Sequence, residues 1–364
     1  MNAFPAQILP FSPTIPSNKR SDEMPERALH YPMFRYMGSK KNLLPWIHRV
    51  LSDLDFESAW DPFTGGGSVA YLMKTMDRRV VASDFLNFPS VIARALVENP
   101  GKRLDGKMLA GLLKQPKKAK TFIQDTFQGI YYTKDDLRFL DAVSHNLRGI
   151  EDPHLRAMGM TALLRSCLKK QPRGVFTITG DLSHYDDGRR DLQLSIEEHF
   201  LEQIEAVHAA AFDNGRRNRA FRGGVFDARV PNVDLVYLDP PYVPRSDDNC
   251  YIKRYHFLEG LSCYWEGVEI DHSTKTKKIV KRHTPFSYRS EALEAFDHLF
   301  RMFRNKKIVL SYSSNGFPDL DALETMMRKY KASVRVFTKA HRYHFGTHAA
   351  VERAETTEYL IVGQ

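Results

Sequence analysis

Apolar residues alternate, cluster and stripe along this chain in an order that predicts an α/β fold. Ser58-Ala59-Trp60-Asp61 reads as a short buried strand ending in a carboxylate, and Thr64-Gly65-Gly66-Gly67 as the turn after it. Ser68 to Met76 then reads as a helix, and Arg79 to Ser83 as a β-branched strand closed by a second acid, Asp84. Strand, glycine turn, helix and strand in that order form a βαβ unit, which predicts a parallel sheet with a right-handed crossover. Upstream, Leu43, Leu44, Trp46 and Ile47 mark a short helical segment. Downstream, the sheet is expected to resume at Val225-Phe226-Asp227 and at Leu235 to Asp239. Arg289 to Phe303 reads as a helix, Lys307 to Tyr312 as a strand, and Val334 to Phe337 and Tyr359 to Val362 as the last two strands. Residues 195–212 place Ile196, Phe200, Ile204, Val207 and Ala211 on one helical stripe. No internal repeat interrupts this order.

The polar stretches divide the chain further. Residues 1–30, rich in Pro, Ser and Asn, are expected to form a poorly ordered tail. Residues 31–100 and 215–364 carry the strand pattern, whereas 101–214 reads as an insert of different character. It holds the basic cluster Lys114, Lys117, Lys118 and Lys120, then Lys169-Lys170-Gln171-Pro172-Arg173-Gly174, and the polar loop Asp186-Asp187-Gly188-Arg189-Arg190-Asp191.

At 364 residues, with 42% hydrophobic and 27% charged residues, the chain has the composition of a soluble globular protein. No apolar run approaches the roughly 20 residues that span a bilayer, and no apolar signal core opens the chain. A cytoplasmic protein without membrane contact is expected. Cys167, Cys250 and Cys263 are widely spaced with no CxxC pair, so they read as reduced and structural. His341, His344 and His348 lack the accompanying acid or Cys set of a metal site, and no metal is expected. The net charge of +9 suits a polyanionic partner, because basic side chains that neutralise phosphates release counterions.

Two motifs carry chemistry. After Asp61, the run Pro62-Phe63-Thr64-Gly65-Gly66-Gly67 lets backbone pass close to a ligand where a Cβ would collide. Its spacing departs from G-x-G-x-x-G and no P-loop lysine follows, which disfavours a dinucleotide or phosphate site. Asp84 stands where an α/β nucleotide site places a carboxylate against ribose hydroxyls, and Asp227 could accept from an adenine amine. A plain tight turn with two solvated strand-end acids is the bland alternative. The second motif is Asp239-Pro240-Pro241-Tyr242, behind the apolar run Leu235 to Leu238. Its prolines fix the backbone and remove two N–H donors, leaving carbonyls unopposed. A carboxylate and a proline carbonyl form an acceptor pair suited to an amino group. Accepting its protons would localise a lone pair otherwise delocalised into an aromatic ring, and Tyr242 offers a face for stacking an extruded base.

With these motifs in this order, the chain resembles the adenine-specific DNA methyltransferases that include the Dam-type and D12-class enzymes. Five stretches carry the resemblance: Phe34 to Lys40, Asp61 to Ser68, Ser83-Asp84 with Asn87, Asp239 to Tyr242, and Lys307 to Ser314. Cofactor motifs preceding the catalytic motif, with a long insert between, match the family's α group. The resemblance implies a Rossmann-like methyltransferase fold with a mixed, mostly parallel seven-stranded sheet, and makes 101–214 a target-recognition insert. It implies S-adenosylmethionine as cofactor, held by Tyr36, Gly38, Lys40, Asp61, Phe63, Gly65, Gly67, Asp84, Asp227 and Asp239. Asp239 and Pro240 would hold the target amine and Tyr242 would stack. Lys169, Lys170, Arg173, Arg189, Arg190, Lys253 and Arg254 are the candidate contacts to double-stranded DNA, Arg being able to read guanine and Lys to track phosphate; a solvated, salt-bridged surface is the alternative for those in the insert. The implied function is site-specific adenine N6 methylation as a modification methylase, with a separately encoded restriction endonuclease as candidate partner and the oligomeric state open. The glycine motif, Thr-Gly-Gly-Gly-Ser, departs from the commoner spacing of the family. Cytosine N4 methylation, or a silent DNA-binding relative, are the alternatives.

Overall fold

The computed structural model describes residues 23–35, 37–172, 174–177, 188–243, 251–342 and 355–364. Its centre is a seven-stranded sheet of β1 (Ser58–Asp61), β2 (Arg79–Asp84), β3 (Arg219–Arg222), β4 (Leu235–Leu238), β7 (Lys307–Ser313), β8 (Val334–Arg342) and β9 (Glu355–Gly363). The order is β3-β2-β1-β4-β7-β9-β8. β9 runs antiparallel between β7 and β8, and every other pairing is parallel. A separate two-stranded ribbon joins β5 (Ile270–Asp271) to β6 (Lys278–Ile279).

Alternation along the strands explains the layers. Ala59, Val80, Ala82, Leu235, Tyr237, Val309, Leu360 and Val362 face one apolar cluster, which includes residues of α1 (Leu44–Ser52) and α2 (Ser68–Thr75). Trp60, Val81, Val236, Leu238, Ile308, Leu310 and Ile361 face the other, with α11 (Arg289–Met302) and α12 (Leu320–Arg328). Period-2 side chains on buried strands require both faces covered, as seen. Strand order reverses between β1 and β4, and a cleft outside the carboxyl ends is expected at such a switch point.

Helices α3 (Asn87–Ala93), α4 (Gly106–Leu112), α5 (Phe122–Phe127), α6 (Lys134–Arg148), α7 (Pro153–Lys170), α9 (Ile196–Ala210) and α10 (Tyr251–Cys263) build a third cluster beside the sheet, and the short α8 (Arg190–Gln193) has no buried residue. Their starts follow local chemistry. Thr133 with Asp136, and Ser195 with Glu198, form reciprocal capping boxes, and Asp152 caps α7 ahead of Pro153. Asp136 also accepts from the Ile196 N–H at 2.8 Å and pairs with Lys170 at 3.0 Å, tying three helices at one buried carboxylate. The stripe expected over 195–212 is α9.

Two expectations need correction or adjustment. Val225 to Asp227 is a turn, closed by Asp227 and Ala228 N–H groups donating to the Gly224 carbonyl, and the strand is Arg219–Arg222 instead. Arginines at both ends mask this edge strand's apolar signal. Of the expected tail, residues 1–22 lie outside the described residues, whereas Glu26–His30 is a 3-10 helix with Ala28 buried and Arg27 over the Phe212 ring. Among the described residues no helix is long and apolar enough to cross a membrane.

Gly260 on α10 packs against the Trp265 indole so closely that a Cβ would lie 2.1 Å from it. The Gly260→Ala variant is expected to lose about 1–3 kcal/mol in chemical denaturation, the usual cost of overpacking. An unchanged denaturation midpoint would contradict this packing.

Candidate active site

The glycine turn is built from both neighbouring strands. Thr64 N–H donates to the Ser83 carbonyl at 3.1 Å and Gly67 N–H to the Thr64 carbonyl at 2.6 Å. Gly65 and Gly67 have φ of 49° and 84°, conformations that favour glycine, and Gly67 caps the start of α2. Asp84, at the end of β2, accepts from Gly65 N–H and from Leu86 N–H, each at 3.0 Å. Asp61, at the end of β1, accepts from Phe63 N–H at 3.3 Å and from the Thr64 hydroxyl at 3.4 Å. Tyr31 donates its hydroxyl to the Gly66 carbonyl.

At the end of β4 stands Asp239. Lys40, 3% exposed, places its ammonium 2.9 Å from Asp239 Oδ1 and 3.0 Å from the Tyr242 hydroxyl. That hydroxyl donates to Glu358 Oε2 at 3.0 Å. The Tyr242 ring meets Tyr312 edge-on at 4.9 Å. Thus the Tyr242 ring is held at its hydroxyl by Lys40 and Glu358 and packed against Tyr312.

Burial sets the electrostatics. Desolvation raises the Asp239 carboxyl to about 6 against the pull of Lys40. Desolvation likewise raises Asp84 to about 7, and holds Asp61 well above the usual carboxylate range with help from the Asp239 charge. Among the described residues, two buried acids and the partly buried Asp239 therefore share the cleft with one ammonium, that of Lys40. Such a cleft favours a ligand that brings positive charge and disfavours one that brings phosphate.

These groups line one cleft of about 880 Å³, counting its mouth. Of the expected site residues, Gly38, Lys40, Asp61, Phe63, Gly65, Asp84, Asp239, Pro240 and Tyr242 line it. Gly67 supports it from the start of α2, and Tyr36 lies outside the described residues. Asp227 lines a different cleft, beside Arg79, Arg219 and Arg222. The basic residues of the insert are engaged within the fold: Lys169 with Asp191 at 3.4 Å, Arg190 with Glu202, and Arg189 with the Pro172 carbonyl at 3.2 Å. Lys170 is the most committed, being bound to Asp136 and the Leu194 carbonyl and only 13% exposed. Arg173 lies outside the described residues, as do Cys250, His344 and His348, and Lys253 and Arg254 are half-buried on α10. No cluster of metal-ligating side chains occurs among the described residues.

Several residues in and around the cleft escape a reading of motifs. Tyr31 and Phe34 enter from the N-terminal segment, where Arg165 of α7 donates to the Met33 carbonyl and lies over the Phe34 ring. On α10, Tyr251 lines the cleft, Tyr255 accepts from Met37 N–H at 2.7 Å, and Glu259 accepts from Asn87 N–H at 2.7 Å. The stretch Tyr251 to Trp265 is expected at the cleft from its place just after the catalytic motif, and the spacing of four sets Tyr251, Tyr255 and Glu259 along one side of α10. Tyr237 also lines the cleft, with its ring buried.

A family model described as D12 class N6 adenine-specific DNA methyltransferase matches residues 36–326. The chain is similar to the type II methyltransferase M2.HphI of Haemophilus parahaemolyticus, 27% identical over 326 residues, covering 86% of this chain and 92% of that protein. It is 24% identical to modification methylase StsI of Streptococcus sanguinis over 81% of the chain, and 23% identical to the type II methyltransferase M.FokI of Planomicrobium okeanokoites over 90%. It spans about half the length of these last two, 46% and 52%.

Proposed function

Since the chain belongs to the D12 class of N6 adenine-specific DNA methyltransferases, we propose that it methylates an adenine extruded from duplex DNA, with S-adenosylmethionine as methyl donor. The observation that carries the choice of donor is the cleft itself, which among the described residues is lined by Asp61, Asp84 and Asp239 with Lys40 as its one basic side chain. The sulfonium and α-ammonium of the donor, which outweigh its α-carboxylate, offset part of the negative charge there. Asp84 receives ribose hydroxyls, the Gly65–Gly67 turn admits the ligand's backbone-facing side, and Phe63, Phe85 and Leu86 supply apolar wall. The bound donor supplies an electrophilic methyl group. Asp239 Oδ2, its partner oxygen being engaged by Lys40, and the Pro240 carbonyl accept the two N6 protons of the adenine. That localises the nitrogen lone pair, while Tyr242 stacks on the ring.

Outside the cleft, residues 101–214 act as the target-recognition region, and Lys169, Arg173, Arg189, Arg190, Lys253 and Arg254 contact the DNA backbone or bases. Lys170 is better suited to holding α7 against Asp136. The names of the relatives, a type II methyltransferase and a modification methylase, favour a modification role; a separately encoded restriction endonuclease as partner, and action in the cytoplasm on nucleoid DNA, complete the proposed reading. Methylation-sensitive sequencing of DNA from cells expressing the chain tests this reading. Modified adenines at one short recurrent sequence are expected, and unmodified DNA would sink it.

Donor affinity should depend on pH in a definite direction. Burial raises Asp84 to about 7, so the carboxyl takes up a proton as pH falls below that value and loses acceptor capacity. Calorimetric Kd for S-adenosylmethionine is therefore expected to weaken by up to about tenfold per unit below pH 7, the limit for one linked proton. A flat affinity from pH 8 to 5.5 would remove Asp84 from that role.

A further inference from the structure

We propose that Glu358 is a positioning residue of the methyl-transfer site, holding the Tyr242 ring and setting how strongly Lys40 is drawn to Asp239. The inference rests on the roles proposed above for Asp239 and Tyr242.

Glu358 sits on β9, between β7 and β8, and is 0% exposed. Burying a carboxylate inside a sheet is costly unless it is paired or hydrogen-bonded. Its placement is explained by what it touches. The Tyr242 hydroxyl donates to Oε2 at 3.0 Å, and the same hydroxyl accepts from Lys40 at 3.0 Å. Lys40 then reaches Asp239 Oδ1 at 2.9 Å. Two carboxylates thus share one ammonium through one phenol, and β9 is coupled to the end of β4 across β7. The ammonium also lies 4.9 Å from the centre of the Tyr242 ring, so any swing of that ring disturbs the Lys40–Asp239 pair.

The arrangement divides two effects. As an acceptor, Glu358 fixes the tilt of the ring on which the base stacks. As a charge, it competes with Asp239 for Lys40 and so opposes ionisation of Asp239. Besides Glu358, the titratable groups around Asp239 among the described residues are Lys40 from the N-terminal segment, the Tyr242 phenol that Lys40 holds, Asp61 from β1, Tyr237 from β4 and Tyr251 from α10. None of them is substituted in a Glu358 variant. Glu358→Gln keeps an acceptor but removes the charge, and Glu358→Ala removes both.

The test is the single-turnover rate of methyl transfer against pH, at saturating S-adenosylmethionine and DNA, for the full chain. Glu358→Ala is expected to slow transfer about 10- to 100-fold with Kd for the donor within threefold of wild type. Glu358→Gln should recover most of the rate at pH 8 and move the acid limb to lower pH, because Asp239 then ionises more easily. An unmoved acid limb in Glu358→Gln overturns the proposal, whether or not the Ala variant folds. So does a Glu358→Ala rate within twofold of wild type. If wild type itself transfers no methyl group to adenine, the functional reading fails instead, so the two failures are distinguishable.

Discussion

Asp239→Ala is expected to slow single-turnover methyl transfer at saturating donor about 10³-fold or more. The size follows from the loss of a positioned proton acceptor and of preorganised charge at the reacting nitrogen. Asp239 stands at the end of β4 with one oxygen committed to Lys40, so the other is the acceptor left for the amine. Its removal leaves the Pro240 carbonyl as a lone acceptor, and the nitrogen lone pair stays delocalised. Asp239→Asn separates shape from charge. It keeps an acceptor oxygen but neither balances Lys40 nor gathers positive charge from the amine, so a large loss is expected there too. Labelled-methyl transfer in a rapid-quench experiment measures both, and an Ala variant within tenfold of wild type would remove Asp239 from the chemistry.

Asp84→Ala should act on binding instead. Its carboxylate accepts from Gly65 and Leu86 N–H groups at 3.0 Å each, so it shapes the glycine turn as well as facing the ligand. Hydrogen bonds to charged groups contribute about 1.5–3 kcal/mol each, and 1.4 kcal/mol is tenfold in affinity. Loss of the acceptors for the ribose hydroxyls is therefore expected to weaken the S-adenosylmethionine Kd roughly 100-fold by calorimetry. The rate at saturating donor should fall far less. Together the two variants form a contrast: Asp239 carries the rate and Asp84 carries the affinity. A rate defect in Asp84→Ala with unchanged Kd would reverse that assignment.

The central strands were readable because they are short, apolar and closed by an acid. Ser58–Asp61 and Leu235–Leu238 have the bounds their patterns imply. Edge strand β3 was not readable: an Arg-Ala-Phe-Arg segment lacks an apolar run, and Val225-Phe226 nearby supplied a false one. The motif acids were legible for the same local reason, since a strand-end carboxylate beside a turn is a pattern within a few residues. Glu358 and Glu259 were not, because each is an acid inside a β-strand or helix whose partner lies far along the chain, 116 and 172 residues away. Long-range pairings of this kind leave no local periodicity. The basic insert shows the opposite hazard. Lys170 looked like a nucleic-acid contact in the sequence, yet its ammonium is bound to Asp136, which is itself 3% exposed.

The most direct measurement incubates the purified chain with unmethylated duplex DNA and methyl-labelled S-adenosylmethionine, digests the DNA to nucleosides and identifies the labelled product. Label in N6-methyldeoxyadenosine alone is expected from wild type, and little or none from Asp239→Ala. Label in N4-methylcytosine, or no label from a chain that still binds the donor, would contradict the adenine chemistry assigned to Asp239, Pro240 and Tyr242.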